Sequence, residues 1–283
     1  MHIVTTMNFD GKNEIIMCKA WIYFAKRFNP NAVITIIHHD PIPEIKAYAS
    51  SYAQIHFIRL TKKEMTPEMT RGHTDHPCQE IKLSVWKQTK KYSIRKFLYI
   101  DCDAFILGSL QPWWDRIDDK PFIAVNEQVA PYDPIYNAGV FSYSSKNNFI
   151  TYEKLYGQYR KDNNSIALHL GDQGLTNTYL RTIGYDYTHP DIDFTYNCIA
   201  KWSKTHMISD TDIVVTSGSF PLLRKLWIKF LGRDLEWWEK WAWWNQNKKV
   251  TILHAFGRKG FKFWDLPECR ALWEYSKAVT NSV

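Results

Sequence analysis

The chain has 283 residues, 36 of them basic and 29 acidic, which leaves a formal charge of +7 at neutral pH on a chain that is 45% hydrophobic. That balance excludes a disordered or low-complexity protein, and the length suits one α/β domain, residues 1–283, better than two equal ones. No apolar run reaches the ~18 to 20 residues of a membrane-spanning helix, the first residues lack a signal-peptide pattern, and the five scattered cysteines form no Cys-x-x-Cys pair, so the expectation is a soluble cytoplasmic chain in a reducing compartment.

His2 to Thr6 is β-compatible and runs into the turn Asn8-Phe9-Asp10-Gly11; apolar residues from Ile15 then recur at helical density to Phe28, where Asn29-Pro30-Asn31 ends the helix. Ala32 to Ile37 reads as a strand buried on both faces. A short helix from Glu44 to Tyr52 and a strand from Gln54 to Leu60 repeat the unit, as in a doubly wound α/β sheet. Thr61 to Pro77 is polar and aperiodic, a loop of the kind that closes over ligands. Ile81 to Tyr92 reads as a helix and Lys96 to Ile100 as a strand that delivers Asp101-Cys102-Asp103 at its carboxyl end, where open α/β sheets bind their ligands. A short helix near Gln111 to Ile117, strands at Phe122 to Val125 and Gly139 to Tyr143, and helices from Asn147 to about Lys161 and from Asp172 to Leu180 follow. Val250 to His254 is a last strand, and Glu268 to Val279 a C-terminal helix within 267–283.

Three Asp-x-Asp triplets occur, and an isolated triplet is as readily a solvated turn as a site. Asp191-Ile192-Asp193 and Asp210-Thr211-Asp212 lie in segments without strand character, whereas Asp101 and Asp103 follow a clear strand and can aim two carboxylates at one hard divalent cation. His254, at another strand end, is an ordinary turn residue when taken alone. Beside two carboxylates it makes a mixed N,O set that manganese accepts more readily than magnesium. Gly171-Asp172-Gln173-Gly174 reads equally as a helix start with Asp172 as its cap.

Taken in order, Ile81-Lys82-Leu83-Ser84-Val85-Trp86, Phe97 to Asp103, Tyr136-Asn137-Ala138-Gly139-Val140-Phe141, Gly171-Asp172-Gln173-Gly174-Leu175-Thr176-Asn177 and His254-Ala255-Phe256-Gly257 resemble the motifs of the family 8 glycosyltransferases, the glycogenin-like and lipopolysaccharide-galactosyltransferase-like group, across residues 2 to 264. The resemblance implies a single GT-A-type, Rossmann-like mixed sheet flanked by helices, and a retaining transferase that moves a hexose from a UDP-sugar, UDP-glucose or UDP-galactose. It implies Mn2+, with Mg2+ as the alternative, on Asp101, Asp103 and His254; donor contacts from Thr5, Thr6, Asn8, Lys82, Cys102, Asn137 and Gly257; and Asp172 and Gln173 near the reacting carbon. The chain departs from the family's closing His-x-x-Gly-x-x-Lys-Pro-Trp. Gly257 is followed by Arg258-Lys259-Gly260-Phe261-Lys262-Phe263-Trp264, so either Lys259 or Lys262 would face the diphosphate, and Lys262, which keeps the spacing to Trp264, is the catalytic choice.

Residues 220–247 have no counterpart in those motifs and hold six of the thirteen tryptophans, with Arg224, Lys225 and Lys229 nearby. Three readings stand: helices packed on the domain, a peripheral membrane-surface helix serving a lipid-linked acceptor, or Trp faces stacking acceptor sugars. The acceptor is a glycan, a protein or a lipid-linked sugar, and no nucleic-acid motif accompanies the basic residues. A non-catalytic nucleotide-sugar or glycan-binding module is the rival function.

Overall fold

A computed structural model describes residues 1–7, 11–61, 64, 77–126, 136–145, 150–161, 166–200, 203–209, 212–217, 249–255, 262–266 and 269–281. Asn8, most of the 61–77 loop, Gly257, Lys259 and the Trp-rich 220–247 stretch lie outside the described residues.

The N-terminal half alternates as its hydrophobic pattern predicts: β1 (His2–Met7), α1 (Lys12–Phe28), β2 (Val33–His38), α2 (Pro43–Ala49), β3 (Ile55–Arg59), α3 (Pro77–Lys91) and β4 (Lys96–Ile100). Next come β5 (Ala104–Ile106), α4 (Gln111–Arg116), β6 (Phe122–Asn126), β7 (Tyr136–Ser144), α5 (Tyr152–Lys161) and α6 (Ile166–Thr182). The last elements are β8 (Cys198–Ile199), β9 (Ser203–Ser209), β10 (Asp212–Ser217), β11 (Ile252–His254) and α7 (Arg270–Asn281).

Six strands form the main sheet in the order β3-β2-β1-β4-β7-β6. β3, β2, β1 and β4 run parallel, and β7 is antiparallel to both neighbours, so this is the mixed α/β sheet expected. Side chains alternate across it. Ile3, Leu98 and Ile100 enter one core with Trp21 of α1 and Leu272 of α7; Val4, Phe97 and Tyr99 enter the other with Trp86 of α3 and Leu175 of α6. The order reverses between β1 and β4, which makes their carboxyl ends the crevice of an open α/β sheet. A second sheet, β5-β11-β8, lies beyond β4 in the chain, with β11 antiparallel to β5 and parallel to β8.

Two expectations are corrected here. The helix of Asp172 begins at Ile166, so Asp172 is interior to α6 and caps nothing. β9 and β10 pair antiparallel and Asp212 opens β10, so the third triplet, contrary to the expectation, ends in a strand. Ile213-Val214-Val215-Thr216 is β-branched throughout, as a strand prefers, while the alternating polar residues of β9 obscure its partner. Among the described residues no helix is long and apolar enough to cross a membrane.

His2 starts β1 with its Nε2 at 2.8 Å from Thr35 Oγ1 on β2, and burial lowers its pKa from 6.5 to about 4. The unfolded chain therefore binds a proton that the folded chain refuses between these values. Stability from this residue is complete above pH 6.5 and is lost as pH falls toward 4. Replacing His2→Gln should remove about 1 to 3 kcal/mol of the acid destabilisation between pH 7 and 4.5, read by denaturant melts. Parallel pH profiles for the two proteins would contradict this.

Candidate metal and donor site

Asp101 and Asp103 stand at the carboxyl end of β4, on the short turn into β5. The ladder to β7 extends one step past Ile100, because the Asp101 amide donates to the Gly139 carbonyl at 2.8 Å. This holds Asp101 beside a residue without a side chain. Tyr99, two residues back on the strand, donates from its hydroxyl to Asp101 Oδ1 at 2.6 Å and so receives the Thr6 hydroxyl at 2.7 Å. Thr5 is fully buried, with no hydrogen-bond partner for its hydroxyl among the described residues. Cys102 is partly buried between the two aspartates.

Lys82 reaches the site from α3. It lies one helical turn before Trp86, and the two share the face turned to the sheet. Trp86 and Tyr99 both stack on Phe141, at centroid distances of 5.5 and 4.8 Å. That wall leaves the Lys82 ammonium 2.8 Å from Asp101 Oδ2, 3.4 Å from Asp172 Oδ2 and 5.1 Å from the Tyr99 ring centre. Burial works against the charge on Lys82, but Asp101 and Asp172 outweigh it and hold the ammonium above the usual lysine range. Burial raises the Asp172 carboxyl, against the pull of Lys82 and with Asp101 adding to the rise.

Asp103 and His254 are brought together by the small sheet. His254 pairs with Ala104 across β11 and β5, and the Ala255 amide donates to the Asp103 carbonyl at 2.8 Å. His254 Nε2 is then 3.4 Å from Asp103 Oδ1, while Lys262 donates to Asp103 Oδ2 at 3.1 Å. Although burial opposes it, Lys262 and His254 hold the Asp103 carboxyl well below the usual range. Lys262 is anchored by its neighbours: Phe263 is fully buried and stacks on Phe105 at 4.1 Å, and Trp264 packs on Trp273 at 5.2 Å.

Asp101, Asp103 and His254 each offer one ligand atom, and the three lie within 4.8 Å of one another. The donor set fits a divalent cation. It has two hard carboxylates and one imidazole, and with Asp172 the site holds one more carboxylate than ammonium among the described residues. Gly139 makes the room: any Cβ there would run into the His254 ring. Asp191 and Asp193 of the second triplet serve structure. Asp193 Oδ1 accepts from the Thr195 amide at 2.9 Å and hydroxyl at 2.6 Å, and Asp191 meets Arg116 at 3.0 Å.

Asn137 Oδ1 accepts from the Gly139 amide at 2.9 Å, and Gln173 Oε1 accepts from the Ala138 amide at 3.1 Å. Sequence reasoning missed Tyr99, Asn177 and Asn197. Asn177 brackets Tyr136, accepting from its amide at 3.0 Å and donating to its carbonyl at 3.1 Å. Its signal was visible, since Asp172, Gln173, Thr176 and Asn177 form a polar stripe at i, i+4 spacing on one helix face. For Asn197, a buried amide just ahead of the two-residue β8, no periodic pattern exists to flag it.

No model of a known protein family matches the chain, and no curated protein matches it either. Solved structures do. A galactosyltransferase, LgtC, in complex with donor and acceptor sugar analogues is similar over 100% of this chain and 96% of its own, at 14% identity and a TM-score of 0.61. The glycosyltransferase GlyE of Streptococcus pneumoniae TIGR4 matches 99% of this chain and 62% of its own at 15% identity, TM-score 0.58. Mouse xyloside xylosyltransferase 1 matches 92% of this chain and 98% of its own at 13% identity, TM-score 0.57. At such identities the shared property is the architecture, and this chain has the GT-A fold of these glycosyltransferases.

Proposed function

We propose that the chain is a metal-dependent, retaining glycosyltransferase that moves a hexose from a UDP-sugar, UDP-glucose or UDP-galactose, to a glycan, protein or lipid-linked acceptor. The observation that carries this is the convergence of Asp101, Asp103 and His254 with two lysines and Asp172 at the carboxyl edge of the sheet, in a fold shared with solved glycosyltransferases.

Asp101, Asp103 and His254 would hold Mn2+, or Mg2+ in its place. A bound divalent cation supplies positive charge where a departing diphosphate becomes negative. Lys82 and Lys262 add cationic charge on either side of the carboxylate pair, and in a partly dried site such preorganised charge favours the transition state. Asp172 and Gln173 share one turn of α6 and would face the sugar. Thr5, Thr6, Asn8, Cys102, Asn137, Gly257 and Lys259 complete the proposed donor pocket. For 220–247, packing on the domain is the first reading, and its tryptophans and basic residues also suit peripheral contact with an anionic membrane.

A screen of nucleotide sugars should give transfer or slow hydrolysis with UDP-glucose or UDP-galactose in Mn2+ and none in chelator. A binding module would hold the nucleotide sugar without turnover. Asp103→Ala should abolish turnover and weaken donor binding only when metal is present; equal activity with metal and with chelator would sink the metal reading.

Lys262→Ala should lower turnover ~100-fold with little change in donor affinity, because its charge acts mainly on the leaving group. If Lys259→Ala gives that pattern instead, the assignment of Lys262 is wrong. Asp172→Asn should lower turnover far more than melting temperature, whereas a residue that only balances Lys82 would show the reverse.

A further inference from the structure

We propose that Asn197 is a positioning residue that sets which ring nitrogen of His254 carries the proton, and that the backbone amide of Gly139 fixes this choice through Asn137. The inference rests on His254 being a metal ligand, as read above.

A neutral imidazole has one N–H and one lone pair, and only the nitrogen with the lone pair can bind a cation. Which nitrogen that is depends on what the other one meets. Side-chain amides are ambiguous in the same way, since their oxygen and nitrogen have nearly the same shape. Here the ambiguity is removed by a group whose polarity cannot change. The Gly139 amide is a donor, so the Asn137 atom 2.9 Å from it is the oxygen. That oxygen also lies 3.2 Å from an amide atom of Asn197, which must donate and is therefore Nδ2. The remaining Asn197 atom is then Oδ1, an acceptor, and it lies 3.0 Å from His254 Nδ1. His254 Nδ1 therefore carries a hydrogen, which leaves Nε2, 3.4 Å from Asp103 Oδ1, as the nitrogen whose lone pair a cation would take.

Burial makes the relay decisive. Asn137 is 4% exposed, Asn197 2% and His254 5%, so water offers little alternative to any step. Asn197 directly precedes β8, which pairs parallel to β11, so the sheet itself holds its amide against the ring. Gly139 thereby contributes twice, with an amide that starts the relay and with the missing Cβ that admits the imidazole. Partners of this kind commonly change metal affinity 10 to 100-fold, by fixing tautomer and ring orientation.

The test is nitrogen NMR on protein with 15N-labelled histidine, metal-free and at alkaline pH, with His254 assigned from the His254→Gln spectrum. Titration with Mn2+ alone and with Mn2+ plus UDP follows on the same proteins. The wild type should carry its proton on Nδ1. Asn197→Leu should move it to Nε2, where Asp103 can accept it, and should weaken Mn2+ binding about tenfold or more. Asn137→Asp keeps an acceptor for both donors, so it should keep the tautomer, while Asn137→Ala should lose the tautomer and weaken Mn2+ binding. That pair carries the test if Asn197→Leu does not fold. A proton on Nε2 in the wild type overturns the proposal, as does an Asn197→Leu protein that melts lower yet keeps tautomer and affinity. A wild type with its proton on Nδ1 that binds no Mn2+, with or without UDP, sustains the relay and overturns the metal reading instead.

Discussion

Three carboxylates crowd the carboxyl edge of the sheet, and the way their charge is balanced organises the rest of the site. Asp101, Asp103 and Asp172 are each largely withdrawn from water, where an uncompensated charge costs several kcal/mol. Lys82 bridges the first and the third, and Lys262 serves the second. Two ammonium groups cannot neutralise three carboxylates, so the described site keeps an excess negative charge. A pocket with that excess and an imidazole among its donors is suited to a divalent cation. Once the cation is added, the same pocket becomes net positive and suited to a diphosphate.

The scaffold meets this demand from five separate pieces of chain, one of them the turn of Lys262. β4 carries the aspartates, α3 carries Lys82, α6 carries Asp172, and the small β5-β11-β8 sheet carries His254. Their meeting depends on packing set well away from the charges. The Trp86, Phe141 and Tyr99 stack fixes how far α3 stands from the sheet, and the Phe263 and Phe105 stack pins the turn that delivers Lys262. At the centre Gly139 leaves space that a methyl group would fill, so the tightest point of the site is backbone. The site is thereby built on helix faces and on strand ends and short turns pinned by packing, which hold polar groups more firmly than free loops do.

The N-terminal half was legible because strand and helix periods there are clean: β1, α1, β2 and β4 differ from their expected bounds by three residues at most. The cluster of Asp101, Asp103 and His254 was legible because Asp101 and His254 each end an apolar run and Asp103 stands one residue beyond Asp101 in an Asp-x-Asp triplet. Two things were hidden. β9 was missed because its polar residues leave no apolar run, and the β-branched β10 was missed with it for want of a partner, while the start of α6 was placed six residues late, since Gly171-Asp172 resembles a helix start. Asn197 was invisible for a deeper reason. Its partners, Asn137 and His254, lie 60 and 57 residues away, and no local pattern encodes a contact at such separation. Gly139 appeared within a motif, yet its role, room for a ring from another sheet, is a property of the assembled fold alone.

The account stands on one cation being held by Asp101, Asp103 and His254. Anomalous scattering at the manganese edge, from crystals grown with UDP and MnCl2, tests this most directly. The account predicts a single strong peak within bonding distance of one oxygen of each aspartate and of His254 Nε2, with the diphosphate of UDP beside it. A peak elsewhere, or none while UDP is visibly bound and Lys82 and Lys262 remain on the two aspartates, would contradict it.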